Sequence, residues 1–168
     1  HWSATPDAVI GEWHRVLAAD GVLMFSAFGP DTGKQLRAAL AAAGGPVQMP
    51  AFVDMHDYGD MMTAHRYATP VVDMEMLDVC YETPQALLRD VRALGLHPGI
   101  PFAGLRTRRW RDRLYAALDA QRNADGLIPL TFEIVYGHGW KPPQALAAAA
   151  DGTAVVRLDQ IGGRRAAR

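Results

Sequence analysis

Residues 5–30, TPDAVIGEWHRVLAADGVLMFSAFGP, place a helix directly before a strand. Thr5-Pro6-Asp7 is a helix start: an N-cap hydroxyl, a proline at the first helical position, then an acid near the positive end of the dipole. Val9, Ile10, Trp13, Val16 and Leu17 follow at helical spacing, and Asp20-Gly21 ends the run. Val22 to Phe28 is a short apolar run rich in strand formers, the pattern of a buried parallel strand, and Gly29-Pro30 breaks it. A helix feeding such a strand argues for an α/β fold.

Downstream, Asp31 can cap a second helix carrying Leu36 and Leu40, closed by Gly44-Gly45-Pro46. Asp54 can cap a short helix through Met62. Val71 to Tyr81 is extended. Its apolar register slips from Val72, Met74 and Met76 to Leu77, Val79 and Tyr81, which predicts a bulge or bend. Thr83-Pro84 starts a helix to Gly95, and Thr107 starts a basic one to about Asn123. Leu130, Phe132, Ile134 and Tyr136 alternate as a strand ending near Trp140, and Gly137-His138-Gly139 reads as a strand-end turn. The last two strands have the alternation of an antiparallel pair, so the sheet is expected to be mixed. Residues 143–168 are alanine-rich and polar, the composition of a loosely packed tail.

The chain has 168 residues, enough for one domain with a sizeable core, and its net charge of −1 gives no global field toward nucleic acid or an anionic membrane. No apolar stretch approaches the ~18 residues of a membrane span. The single cysteine, Cys80, excludes a disulfide framework and a thiolate metal cluster, and fits a reducing cytoplasm. Asp54-x-His56-Asp57 carries metal-ligand residue types. On a helix His56 and Asp57 point different ways, so a cap with a surface histidine is favoured and no metal is expected. Ser26 lacks the flanking glycines of a nucleophile elbow.

Trp2, Glu12-Trp13-His14-Arg15-Val16-Leu17 and Asp20 to Ser26 resemble the later half of a class I, S-adenosyl-L-methionine-dependent methyltransferase. Three further stretches are similar to the malonyl-acyl-carrier-protein O-methyltransferases of biotin synthesis. They are Phe28-Gly29-Pro30-Asp31-Thr32 with Leu36-Arg37, Phe52-Val53-Asp54-Met55-His56-Asp57 with Gly59-Asp60, and Gly137-His138-Gly139-Trp140-Lys141-Pro142. The resemblance covers about residues 1–142. It implies the fifth, sixth and seventh strands of a Rossmann-like sheet, with residues 84–124 a helical insertion where such enzymes build a substrate lid. The family's glycine-rich cofactor loop has no counterpart: the only Gly-x-Gly, at 137–139, is followed by no helix. The resemblance therefore implies a piece that holds the acceptor side and not the cofactor.

Methyl transfer to a carboxylate needs no general base, because a carboxylic acid with a pKa of roughly 4 is already an anion at neutral pH. What it needs is alignment in a water-poor pocket and a cation for the acceptor. No catalytic group is assigned. The substrate-binding candidates are Trp2, Phe28, Asp31, Thr32 and Arg37, placed about the carboxyl end of the first strand, where open α/β sheets bind ligands. Each has a structural alternative: a core tryptophan, a helix-capping aspartate, an exposed helix arginine. Arg106, Arg108, Arg109 and Arg113, with Arg89 and Arg92, form a basic run. It is either a solvated helix face or the dock for an acidic acyl-carrier protein. The thioester on that carrier or on CoA is the partner the resemblance implies. Two other readings stay open: a relative that hydroxylates a protein arginine and assists respiratory-complex assembly, and a non-catalytic interaction module. A fifth strand without its fourth would leave an unpaired edge, a route to dimerisation.

Overall fold

The computed structural model describes residues 1–45, 49–96 and 107–143. The elements are α1 (Pro6–Val16), β1 (Val22–Phe28), α2 (Lys34–Ala42), α3 (Met55–Ala64), β2 (Ala68–Tyr81), α4 (Pro84–Ala93), α5 (Arg108–Asp119) and β3 (Ile128–Trp140). Residues 144–168, the expected tail, lie outside the described residues, as does Arg106.

Local chemistry starts three of the helices as read. Asp54, Thr83 and Thr107 each accept a hydrogen bond from a backbone N–H in the first turn of α3, α4 and α5. Two caps differ. Thr5 makes no side-chain cap bond, and α1 starts on Pro6 and Asp7 alone. Asp31 does not cap α2. Its N–H is drawn to Glu133 on β3, and the helix begins after Gly33 in the left-handed region, φ 71°.

The sheet order is β1-β3-β2, with β3 antiparallel to both neighbours. β1 and β2 therefore run the same way with β3 reversed between them. Strand directions are mixed, while both pairings among the described residues are antiparallel. The central place falls to β3 because both of its faces are apolar enough to be covered. Leu130 and Ile128 face Leu36, Leu87, Leu114 and Leu118 of α2, α4 and α5. Val135 faces Ile10, Tyr58 and Met62 of α1 and α3. Each fully buried side chain of this size contributes about 1.5–3 kcal/mol relative to exposure.

Two sequence readings change here. Val71 to Tyr81 pairs with β3 without interruption, and the irregularity lies earlier, at Thr69-Pro70, where proline has no N–H to give. The slip at Met76-Leu77 reflects exposure on both faces: Met76, Leu77 and Val79 are all exposed on this outer strand. Gly137 and Gly139 are inside β3, not in a turn. A Cβ on Gly137 would lie 2.3 Å from the Phe25 ring, and one on Gly139 would lie 2.7 Å from the Met62 methyl, so glycine lets these side chains cross the strand. Cys80 on β2 is exposed.

Lys141 closes the far end of the fold. Its Nζ donates to the carbonyls of Leu17 at 2.7 Å and Arg15 at 3.3 Å, capping the C-terminus of α1. The outer side of β1 has no strand partner among the described residues, and Met24 on it is 75% exposed.

Candidate functional site

At the carboxyl end of β1 the chain turns along β3. β1 stops pairing at Phe28 opposite Ile134, and residues 29–33 occupy the next stretch of the β3 edge. The Gly29 N–H donates to the Glu133 carbonyl at 2.9 Å, and the Gly33 N–H to the Thr131 carbonyl at 2.7 Å. Thr32 is fully buried. Its Oγ1 donates to the Glu133 carbonyl and accepts from the Glu133 N–H, both at 3.1 Å. Thr32 therefore ties the loop to the strand.

Around this loop stands an aromatic wall. The Phe28 ring lies 4.5 Å from His1, 5.6 Å from Phe52 and 5.8 Å from Phe132, centroid to centroid. Trp2 stacks at 4.8 Å from His1 and is 60% exposed, with its far edge against Gly95 at the end of α4. Trp2 and Phe28 thus belong to one cluster joined by His1, and the cluster sits between β1 and the inserted helices. His1 and Phe52 were not among the sequence candidates, because a ring cluster assembled from distant segments has no spacing signature.

Asp31 lies beside this wall, with its carboxylate on Lys34 at 3.1 Å and partly exposed. Arg37 is half-buried. Its Nη2 donates to the carbonyls of Pro30 at 3.1 Å and Thr32 at 3.4 Å, so the guanidinium grips the loop. Among the described residues its Nε and Nη1 make no hydrogen bond, which leaves donors for an anion but no complete bidentate edge. Glu133 was missed altogether. It is 3% exposed, and its Oε2 accepts the Asp31 N–H at 2.7 Å. An acid on a covered face of an otherwise well-packed strand was the available signal.

The basic run divides. Arg113 is committed to structure, its Nε donating to the Ala43 carbonyl at the end of α2 at 3.1 Å. Arg111 pairs with Asp112 and lies over the Tyr115 ring. Arg108 and Arg109 are exposed at the start of α5 and carry no ion pair among the described residues, and Arg92 on α4 is exposed as well.

Asp54 and His56 form a local pair. The Asp54 carboxylate accepts the His56 N–H at 2.8 Å and lies 2.7 Å from its Nδ1. Those two hydrogen bonds, the backbone one first, hold the Asp54 carboxyl below its ordinary range. A depressed carboxyl contributes stability above its unfolded pKa and loses it as pH falls through the folded value. Amide exchange in the first turn of α3 should therefore accelerate on acidification below the usual carboxylate range, and Asp54→Asn should flatten that profile. A profile unchanged by the substitution would refute the cap's pH dependence. Among the described residues no group of three or more His, Cys, Asp or Glu could hold a metal ion. His14, half-buried and 4.9 Å from the Tyr67 ring, is held below the usual imidazole pKa by burial first, then by Lys141 and His65.

A methyl donor of the nucleotide type would need a glycine turn open to the ligand. The Gly-x-Gly at 137–139 is filled on both glycines by Phe25, Met62 and Tyr67, so it is not such a turn.

No protein-family model matches the chain. Curated proteins do. The malonyl-[acyl-carrier protein] O-methyltransferase of Laribacter hongkongensis is 46% identical over 143 residues, 84% of this chain and 48% of that protein. This chain is a relative of the malonyl-[acyl-carrier protein] O-methyltransferases. The Methylovorus sp. and Halorhodospira halophila proteins of the same name are each 39% identical, over 94% and 99% of this chain and 53% and 57% of their own lengths. The chain spans about half the length of these O-methyltransferases. Among solved structures, the YcgJ protein of Bacillus subtilis matches over 83% of this chain and 58% of its own, at 13% identity and a TM-score of 0.48. No helix among the described residues is long and apolar enough to cross a membrane.

Proposed function

We propose that the protein to which this chain corresponds transfers a methyl group from S-adenosyl-L-methionine to the free carboxylate of a malonyl thioester in biotin synthesis. The observation that carries this is the identity of 39–46% to proteins of that name across 84–99% of the chain. In this reading the residues described here form the acceptor side, and the methyl donor is held elsewhere in the protein.

The acceptor is ionised at neutral pH, so the chemistry requires no general base from the wall. His1, Trp2, Phe28 and Phe52 line a surface that excludes water from the reacting carboxylate. Arg37, through Nε and Nη1, supplies the cation that orients it, while Asp31 and the buried Thr32 shape the loop beneath. The exposed Arg108 and Arg109, on the inserted helix beyond the wall, receive the acidic carrier. Arg113 supports that helix from behind through its bond to the Ala43 carbonyl. The setting is a cytoplasm with reduced thiols.

The test is methyl ester formation by the full-length protein on malonyl-acyl-carrier protein and on malonyl-pantetheine. Both should be methylated. Reversing charge at Arg108→Glu and Arg109→Glu should raise KM for the carrier substrate roughly tenfold, about 1.4 kcal/mol, and leave that for malonyl-pantetheine unchanged. No ester on either substrate would refute the function, and equal KM values for the carrier would refute the dock.

A further inference from the structure

We propose that Glu133 is a positioning residue for the acceptor site, acting on Arg37 through the loop of residues 29–33; this rests on the function proposed above. The loop contains an arc of three residues gripped from two sides. From β3, the buried Glu133 carboxylate takes the Asp31 N–H at 2.7 Å. From α2, Arg37 Nη2 donates to the Pro30 carbonyl of that same peptide at 3.1 Å and to the Thr32 carbonyl farther along at 3.4 Å. The dipole of the Pro30–Asp31 peptide thus runs from anion to cation, and each charge holds that peptide for the other.

Geometry makes this arrangement specific. A Cβ on Gly29 would fall 2.3 Å from Glu133 Cδ, so the carboxylate reaches the Asp31 amide only because the residue it crosses is glycine. The loop's remaining bonds to β3 come from backbone groups and from Thr32. The Asp31 amide alone depends on the Glu133 side chain. A carboxylate 3% exposed, with no Lys or Arg within ion-pair distance among the described residues, is expensive to bury. The charge-assisted bond to Asp31 and the Arg37 cation across the arc offset that. Without the carboxylate the Asp31 peptide is free to rotate. The Pro30 carbonyl, which belongs to that same peptide, would then turn away from Arg37 Nη2, leaving the guanidinium only its longer bond to the Thr32 carbonyl.

The experiment uses the full-length protein with Glu133→Ala and Glu133→Gln. It reads KM for the malonyl thioester, the affinity for S-adenosyl-L-methionine, and Tm. Alanine should raise the acceptor KM about tenfold or more, as expected for loss of a hydrogen bond to a charged group, while donor affinity changes less than about twofold. Glutamine keeps an oxygen toward the Asp31 amide and should recover most of the loss. Should the alanine variant not fold, Glu133→Asp withdraws the carboxylate by one methylene while keeping the charge, and should show the same rise in KM. An unchanged acceptor KM would overturn the assignment, as would a loss shared equally by donor and acceptor binding. A wild type that forms no methyl ester sinks the parent reading instead. The clamp is then read without turnover, from the Asp31 amide exchange and the Arg37 Nε resonance. Both should change in the alanine variant and not in the glutamine one, and identical behaviour in all three proteins would overturn it.

Discussion

Leu130→Ala is expected to lower stability by about 2–5 kcal/mol, the range for removing a buried leucine and leaving a cavity. Leu130 is fully buried near the start of the central strand, opposite Val79 on β2, in the cluster that Leu36, Leu87, Leu114 and Leu118 complete from three helices. Those helices come from both sides of the undescribed segment 97–106, so the site cannot collapse by moving a single element. The strand itself is held on both edges and has no freedom to follow. A loss of this size is a large part of the 5–15 kcal/mol that stabilises an ordinary domain. Urea unfolding should show the midpoint falling at constant slope. A shift equivalent to less than about 1 kcal/mol would mean the two helix layers repack around the gap.

Gly137→Val is expected to destabilise by about 1–3 kcal/mol or more, by overpacking instead of by a void. Its Cβ would lie 2.3 Å from Phe25 ring carbons, and Phe25 is backed by Tyr58 at 5.2 Å and Trp13 at 5.9 Å. The ring can move only by disturbing the packing between α1 and α3. Gly126→Ala is the control. That glycine has φ 75° and nothing within 4 Å, so only the left-handed backbone strain of about 1 kcal/mol is at stake. Parallel thermal melts of the two variants decide the matter. A Gly137→Val protein that melts no lower than Gly126→Ala would show that the strand spacing adjusts freely.

Much of the architecture was legible locally. β1 spans Val22–Phe28 as its apolar run indicated, and the Thr-Pro and Asp signals at 83 and 54 start helices through bonds their side chains actually make. The failures share one cause. Asp31, Met76-Leu77 and Gly137-Gly139 depend on more than their neighbours in sequence: on Glu133, on the exposure of both faces of an outer strand, and on Phe25 with Met62. The same holds at the candidate site. Trp2, Phe28 and Arg37 stand in motif stretches near the first strand, as Phe52 does in a later one, but the meeting of His1, Phe52 and Glu133 with them arises from contacts between segments.

Sequence alone determined what depends on nearest neighbours and on side-chain period: the element types, most of the caps, the alternating apolar pattern of β3, and the kinship carried by its short motifs. Tertiary structure decided which strand lies in the middle, which arginines of the basic run stay exposed, and that a buried acid on β3 fastens the loop beside the aromatic wall. The reason is physical. Periodicity and capping act within about one helical turn, whereas desolvation, ring packing and a carboxylate's choice of partner depend on distances that exist only after folding.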